Sequence, residues 1–318
     1  MNKVVEELGK IGIVPVIALD DAKDAEPLAK ALIEGGLPCA EVTFRTAAEE
    51  AIEIMAEKFP ELVVGAGTVL TPEQADRAMN AGAKFIVSPG LNPKVVKHCF
   101  DKGYPIVPGT SNPSDVEVAI ELGLDVVKFF PAEAAGGLNM IKSMAAPYTN
   151  MEFMPTGGIN AGNLKSYLDF NKIVCCGGSW MVKKDMVAAG DFEGIKKLTR
   201  EAVDTMLGFE MRHVGVNMAN AEEAEELADT LEKMFSFPKK IGNSSIFSGT
   251  GFEIMKKQGR GTHGHIAIAT NYIERAIYHL EKRGFEFDEE SRVVKEGRLK
   301  AIYFKGSFGG FDMHLVQK

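Results

Sequence analysis

The sequence has no run of the ~20 apolar residues that a membrane span requires, no block of lysine and arginine, and no CxxC pair among its four cysteines. The first absence argues against a membrane as partner. The second, with a net charge of -8, argues against nucleic acid, whose phosphates call for a basic face. The third removes the spacing of a zinc site. Cys39, Cys99, Cys175 and Cys176 then read as reduced, mostly buried thiols of a cytoplasmic protein. The opening "MNKVVEELGKIG" reads as an amphipathic helix rather than a signal peptide.

What the chain does contain is soluble globular protein, 45% hydrophobic and 25% charged. Its 318 residues suggest two domains. From residue 11 to about 180, short apolar runs alternate with helical segments. The runs are "GIVPVIAL", "CAEVTFR", "LVVGAGT", "FIVSPG", "PIVPGT", "VVKFFP", "FMPTGG" and "IVCCGGS". Between them lie segments such as "DAEPLAKALIEGG" and "TPEQADRAMNAG", with helical apolar spacing and glycine stops. Strands that lack polar alternation and are separated by helices form a parallel sheet covered on both sides. Eight such units in roughly 200 residues is the arithmetic of a closed (β/α)8 TIM barrel. An open doubly wound sheet is the alternative, but the GxGxxG after its first strand is missing.

Beyond residue 208 the pattern changes. "RHVGVNM", a helix "NAEEAEELADTLEKMF", weaker strands and "GFEIMKK" are followed by "GHIAIAT", a helix "NYIERAIYHLEKRGF", further strands and "GFDMHLVQK". Aligning the two halves gives an α+β domain of two βαβββ modules. Domains 1–208 and 209–318 are therefore expected.

In a barrel the working residues lie at the carboxyl ends of the strands. Lys128 interrupts the apolar run "VVKFFP" and shares a face with Val126 and Phe130, while Glu41, Thr43 and Arg45 share one face of "EVTFR". A structural strand would place valine or isoleucine there. A buried ammonium is disfavoured relative to its reference near ~10.4, which makes free amine available to attack a ketone and form a Schiff base. Glu41 is suited to moving protons, and the planar fork of Arg45 to a carboxylate. The bland alternative is a buried Lys128–Glu41 ion pair with no chemistry. The turns "PTGGI" and "CGGSW" follow the seventh and eighth runs, where this fold binds phosphate: glycine backbone N–H groups approach an anion closely and Ser179 adds a hydroxyl. Tight turns without a ligand are the alternative there.

Together, "EVTFRT", "VGAGTVL", "SPGL", "KFFPAE", "PTGGI" and "GGSW" resemble the class I 2-keto-3-deoxy-6-phosphogluconate (KDPG) / 4-hydroxy-2-oxoglutarate (KHG) aldolases over residues ~5–206. The resemblance implies that Lys128 is the Schiff-base lysine, Glu41 the general acid/base, and Arg45 the holder of the pyruvyl carboxylate. It implies that Thr68, Pro89 and Phe130 line the pyruvate pocket, and that Thr156, Gly157, Gly158 and Ser179 hold the rest of the substrate and its phosphate. It also implies keto acid and phosphosugar substrates, no cofactor, and a homotrimer. A phosphosugar isomerase or decarboxylase barrel, with a phosphate site but no imine, is the competing reading.

Residues 209–318 resemble the glyoxalase / vicinal oxygen chelate superfamily, in which each module supplies metal ligands from its first and last strands. The matching first-strand positions are His213 and His265. On the last strands the candidates are His314 or Asp312 in one module and Met255 or Glu253 in the other. Three histidines with a nearby carboxylate would suit a divalent zinc, nickel or ferrous ion, whereas methionine is a poor ligand for these. The alternatives are polar residues at strand starts, and a C-terminal binding or assembly module.

Overall fold

The computed structural model describes residues 1–45 and 47–318. In its first part the strands are β1 Ile13–Ile17, β2 Cys39–Thr43, β3 Val63–Gly67, β4 Ile86–Val87, β5 Ile106–Val107, β6 Gly109–Thr110, β7 Val126–Phe129, β8 Glu152–Pro155 and β9 Cys176–Gly178. All their pairings are parallel, in the order β5-β4-β3-β2-β1-β9 and β6-β7-β8. β5 and β6 are two pieces of one run, divided at Pro108, which has no N–H to give to a ladder. Bridges Phe153↔Ile173 and Thr156↔Gly177 connect β8 to the β9 segment. The sheet thus curls round into an α/β barrel-like fold. Its strands are buried on both faces, as unalternating apolar runs require.

Local chemistry explains where the intervening helices begin. Thr71, Asn92 and Asn112 each accept a backbone N–H from the first turn, and a proline follows each of them. The side chain satisfies a donor that the helix leaves orphaned, and proline has the helical φ built in. Each such cap contributes about 1 kcal/mol. The N-terminal helix Lys3–Ile11 is capped by Asn2, closes at Gly12 with φ 84°, and buries Val5, Leu8 and Ile11.

The chain forms two compact units, Met1–Met206 and Leu207–Lys318, and the helix Phe192–Leu207 ends at the division. The second unit is α+β. Its strands are β10 Glu210–Asn217, β11 Lys239–Ile241, β12 Ser245–Ser248, β13 Phe252–Met255, β14 Gly264–Thr270, β15 Phe287–Lys295, β16 Arg298–Phe304 and β17 Phe311–Gln317. They form one mixed sheet in the order β11-β12-β13-β10-β14-β17-β16-β15. The helix Ala221–Phe235 packs Ala224 and Ala228 against Ile246 and Ile254. Because strand side chains alternate, Glu253 faces away from the helix that covers Ile254. Fully burying an aliphatic side chain such as Ile254 stabilises by roughly 1.5–3 kcal/mol. The opposite face of the sheet is thereby left for polar residues.

Candidate active site and a histidine cluster

Lys128 is the third residue of β7, and its neighbours Val127 and Phe129 are fully buried on the other face. Its own side chain is only 6% exposed. Its Nζ donates to Glu41 Oε1 at 3.1 Å and lies 5.3 Å from the centre of the Phe130 ring. Glu41, on β2, is buried, and its Oε2 has no hydrogen-bond partner among the described residues. Desolvating both charges is expensive and returns little net stability, so such a pair is weak as a structural device.

Two residues that the sequence reading passed over shape this pair. Gly67 ends β3 beside Glu41, and a Cβ there would lie 2.3 Å from Glu41 Oε1, so only glycine leaves room for the carboxylate. Thr110 donates its hydroxyl to the Lys128 carbonyl at 3.1 Å. Glycine at the end of a "GAG" run was a visible signal, though its meaning depends on what fills the space. The threonine gave none.

The remaining candidates all follow strand ends. Thr68 is held at φ 61°, a region that a β-branched residue rarely adopts; such strain persists where the surroundings over-determine it. Pro89 and Phe130 are half-buried. Thr156 is buried with its hydroxyl unpartnered among the described residues, beside Gly177, whose Cβ would lie 2.3 Å from that oxygen. Gly157 and Gly158 turn through φ 100° and 84°, and Ser179 follows β9 in an exposed position. β2 stops at Thr43, so Arg45 lies two residues beyond the end of its strand, in an exposed bend with no ion pair among the described residues.

The second unit brings together residues far apart in sequence. Ligand atoms of His213, His265 and His314 lie within 4.8 Å of one another. Glu253 joins them: its Oε2 is 3.2 Å from both His213 Nε2 and His265 Nε2, which are themselves 3.2 Å apart. Ser245 donates to its other oxygen, Oε1, at 2.7 Å. Of the two alternatives in that module, Glu253 contacts the histidines, while Met255 pairs with Asn217 at the end of β10. Asp312 pairs with His265 across the ladder, while His314 supplies the ring. Burial alone would raise the Glu253 carboxyl, but His213, His265 and Ser245 outweigh it and hold the group well below the usual range. Burial, then the neighbouring His265 and His213, pushes His314 down to about 3.

Hydrogen bonding alone does not satisfy this arrangement. If both Nε2 atoms donate to Glu253, two N–H groups face each other at 3.2 Å. Both ring nitrogens of buried His314 also have no partner among the described residues. Ligands placed ~2.0–2.1 Å from a tetrahedral ion stand about 3.3 Å from each other. The triangle of 3.2 Å edges therefore fits a divalent metal.

Comparison with known proteins bears on the first unit. A 2-dehydro-3-deoxy-phosphogluconate aldolase of Haemophilus influenzae is 49% identical over 204 residues, 64% of this chain and 96% of that protein. The KHG/KDPG aldolase of Escherichia coli is 44% identical over 193 residues, 60% of this chain and 91% of that protein. Among solved structures, the KDPG aldolase of Legionella pneumophila, with pyruvate captured as a covalent carbinolamine intermediate, superposes with a TM-score of 0.61 at 35% identity, covering 63% of this chain and 98% of that one. The model of the KDPG and KHG aldolase family matches residues 4–198, and the chain belongs to that family.

Proposed function

We infer that the first unit is a class I aldolase. It cleaves 2-dehydro-3-deoxy-6-phosphogluconate to pyruvate and glyceraldehyde 3-phosphate, and 4-hydroxy-2-oxoglutarate to pyruvate and glyoxylate. The observation that carries the reading is one buried amine, 3.1 Å from one buried carboxylate with a free oxygen. In our reading, Lys128 Nζ adds to the C2 ketone, and Glu41 delivers the proton that lets water leave the carbinolamine. Glu41 then accepts the proton of the C4 hydroxyl as the C3–C4 bond breaks. The electron pair passes into the iminium to give an enamine, and the aldehyde departs. Protonation at C3 and addition of water return pyruvate and the free lysine. Arg45 receives the carboxylate; Thr68, Pro89 and Phe130 enclose the pyruvyl part. Thr156, Gly157, Gly158 and Ser179 receive the remainder and its phosphate.

Borohydride reduction in the presence of pyruvate tests this reading. The imine is reduced to a stable secondary amine, so the peptide bearing Lys128 should gain the mass of a 1-carboxyethyl group in place of one amine hydrogen, and Lys128→Met should gain none. An isomerase or decarboxylase barrel without imine chemistry would show no adduct in either protein.

For the second unit we propose a metal centre in a domain of two βαβββ modules of the vicinal oxygen chelate kind. The sheet order supports this: β11-β12-β13-β10 mirrors β15-β16-β17-β14, with one helix per half. His213, His265, His314 and Glu253 would hold the ion, and Ser245 would orient the carboxylate. A divalent ion bound there supplies a Lewis acid for an oxygen ligand.

A further inference from the structure

Residues 256–263 link β13 to β14, and this loop is tied down on the face of the sheet that carries the histidine cluster. Asn217 shares the face of His213 and Gly215 on β10. Its Nδ2 donates to the carbonyls of Arg260 at 3.2 Å and Gly261 at 3.0 Å, and its Oδ1 accepts from the Gly259 N–H at 3.0 Å. The main chain of Arg260 is thus fixed beside β10. Its guanidinium, however, lies 4.5 Å above the Tyr303 ring of β16 and donates to Asp288 Oδ2 of β15 at 2.9 Å. In the sheet, β14 and β17 lie between β10 and β16. Gly261, next in the loop, lies against Gly310 and Asp312 at the start of β17, so the loop itself crosses the strand ends and the guanidinium comes to rest beside Tyr303 and Asp288. Tyr303 completes the contact by stacking on His314, with ring centres 4.5 Å apart and planes 14° from parallel.

A guanidinium has five N–H donors. Asp288 takes one, and the group makes no other hydrogen bond among the described residues. Its side chain is 44% exposed. Asp288 neutralises the guanidinium through one contact, which leaves its remaining donors open to the anionic group of a ligand. The planar fork matches a carboxylate in a two-point contact. The walls contributed by Phe247, 5.7 Å from His213, and by Tyr303 are aromatic and flat. Such flat walls suit a planar carboxylate better than a tetrahedral phosphate.

We propose that Arg260 is the anion-recognising arm of the C-terminal site, and that the site takes a small organic carboxylate held between the metal and the guanidinium. This rests on the metal reading above. The test uses the full chain loaded with cobalt(II), whose visible absorption reports its ligands, titrated with oxalate, which has no ketone for Lys128 to capture. Oxalate should shift the spectrum saturably. Arg260→Met should weaken its binding about tenfold or more, and Arg260→Lys should fall between; unchanged melting of both variants establishes that they fold. Equal oxalate affinity in the parent and Arg260→Met would overturn the proposal, as would a cobalt spectrum indifferent to oxalate. Tighter binding of inorganic phosphate than of oxalate would overturn the carboxylate assignment. A chain that takes up no cobalt removes the metal reading and the proposal with it, which tells the two failures apart.

Discussion

Glu41 differs from an ordinary buried counter-ion in how its two oxygens are used. Oε1 accepts from Lys128, while Oε2 has no partner among the described residues, although burying an unpaired carboxylate oxygen is unfavourable. That oxygen is free to take and return a proton. Glu41→Gln keeps the shape and an acceptor for Lys128 but cannot relay protons. Its kcat for cleavage should fall about 10²–10⁴-fold while the melting temperature changes little. Steady-state kinetics with the phosphorylated substrate checks this, and a kcat within threefold of the parent would reduce Glu41 to a counter-ion. Lys128 and Glu41 were legible in the sequence because each interrupts a strand that otherwise has every reason to be apolar. Gly67 and Thr110 were not. A glycine records only that something occupies its missing side chain's place, and the sequence does not say what.

Across elements, register decides what single residues do. Glu253 on β13, Gly215 on β10, His265 on β14 and Asp312 on β17 are directly paired and form one row over four strands. Glycine inside a strand is unfavourable by roughly 0.5–1 kcal/mol relative to alanine, so its presence in this row needs a cause. A Cβ on Gly215 would lie 2.1 Å from His265 Cε1, inside the ring that the cluster requires. Gly215→Ala should therefore displace His265 and weaken metal uptake by about 10–100-fold, the scale of a disturbed ligand orientation. It should leave cleavage by the first unit unchanged. Metal titration of the variant checks this; undiminished affinity would mean that the ring has another place to go. The sequence pointed to the strands of the second unit and to its histidines by their repetition. It left Glu253 and Met255 equivalent, because alternation and pairing, rather than composition, put one of them next to Gly215. The same holds for the split of β5 from β6: Pro108 was in plain view, but only the ladder shows it as a break.

At the scale of the molecule, two cores imply two independent responses to a chelator. Unit one buries its lysine and carboxylate inside a ring of parallel strands and uses no metal in the chemistry inferred for it. The histidine cluster of unit two draws side chains from both halves of its sheet, with Glu253 and His213 from one and His265 and His314 from the other. An ion held there connects the halves and stabilises only the folded form. At a free metal concentration of 100 times Kd, linkage adds about 2.7 kcal/mol, on the order of 10 °C for a domain of this size. Full-length protein purified without chelator should contain one metal per chain, absent from a His213→Ala, His265→Ala double variant. Chelation should lower the melting of one transition by about that amount and leave the other, together with aldolase turnover, where it was. Loss of aldolase activity on chelation would contradict the imine mechanism, since an amine and a carboxylate suffice for it. A metal-free chain whose melting does not respond to added zinc, nickel or iron would instead leave the four side chains as a buried polar network, with the unpartnered His314 nitrogens then requiring another explanation.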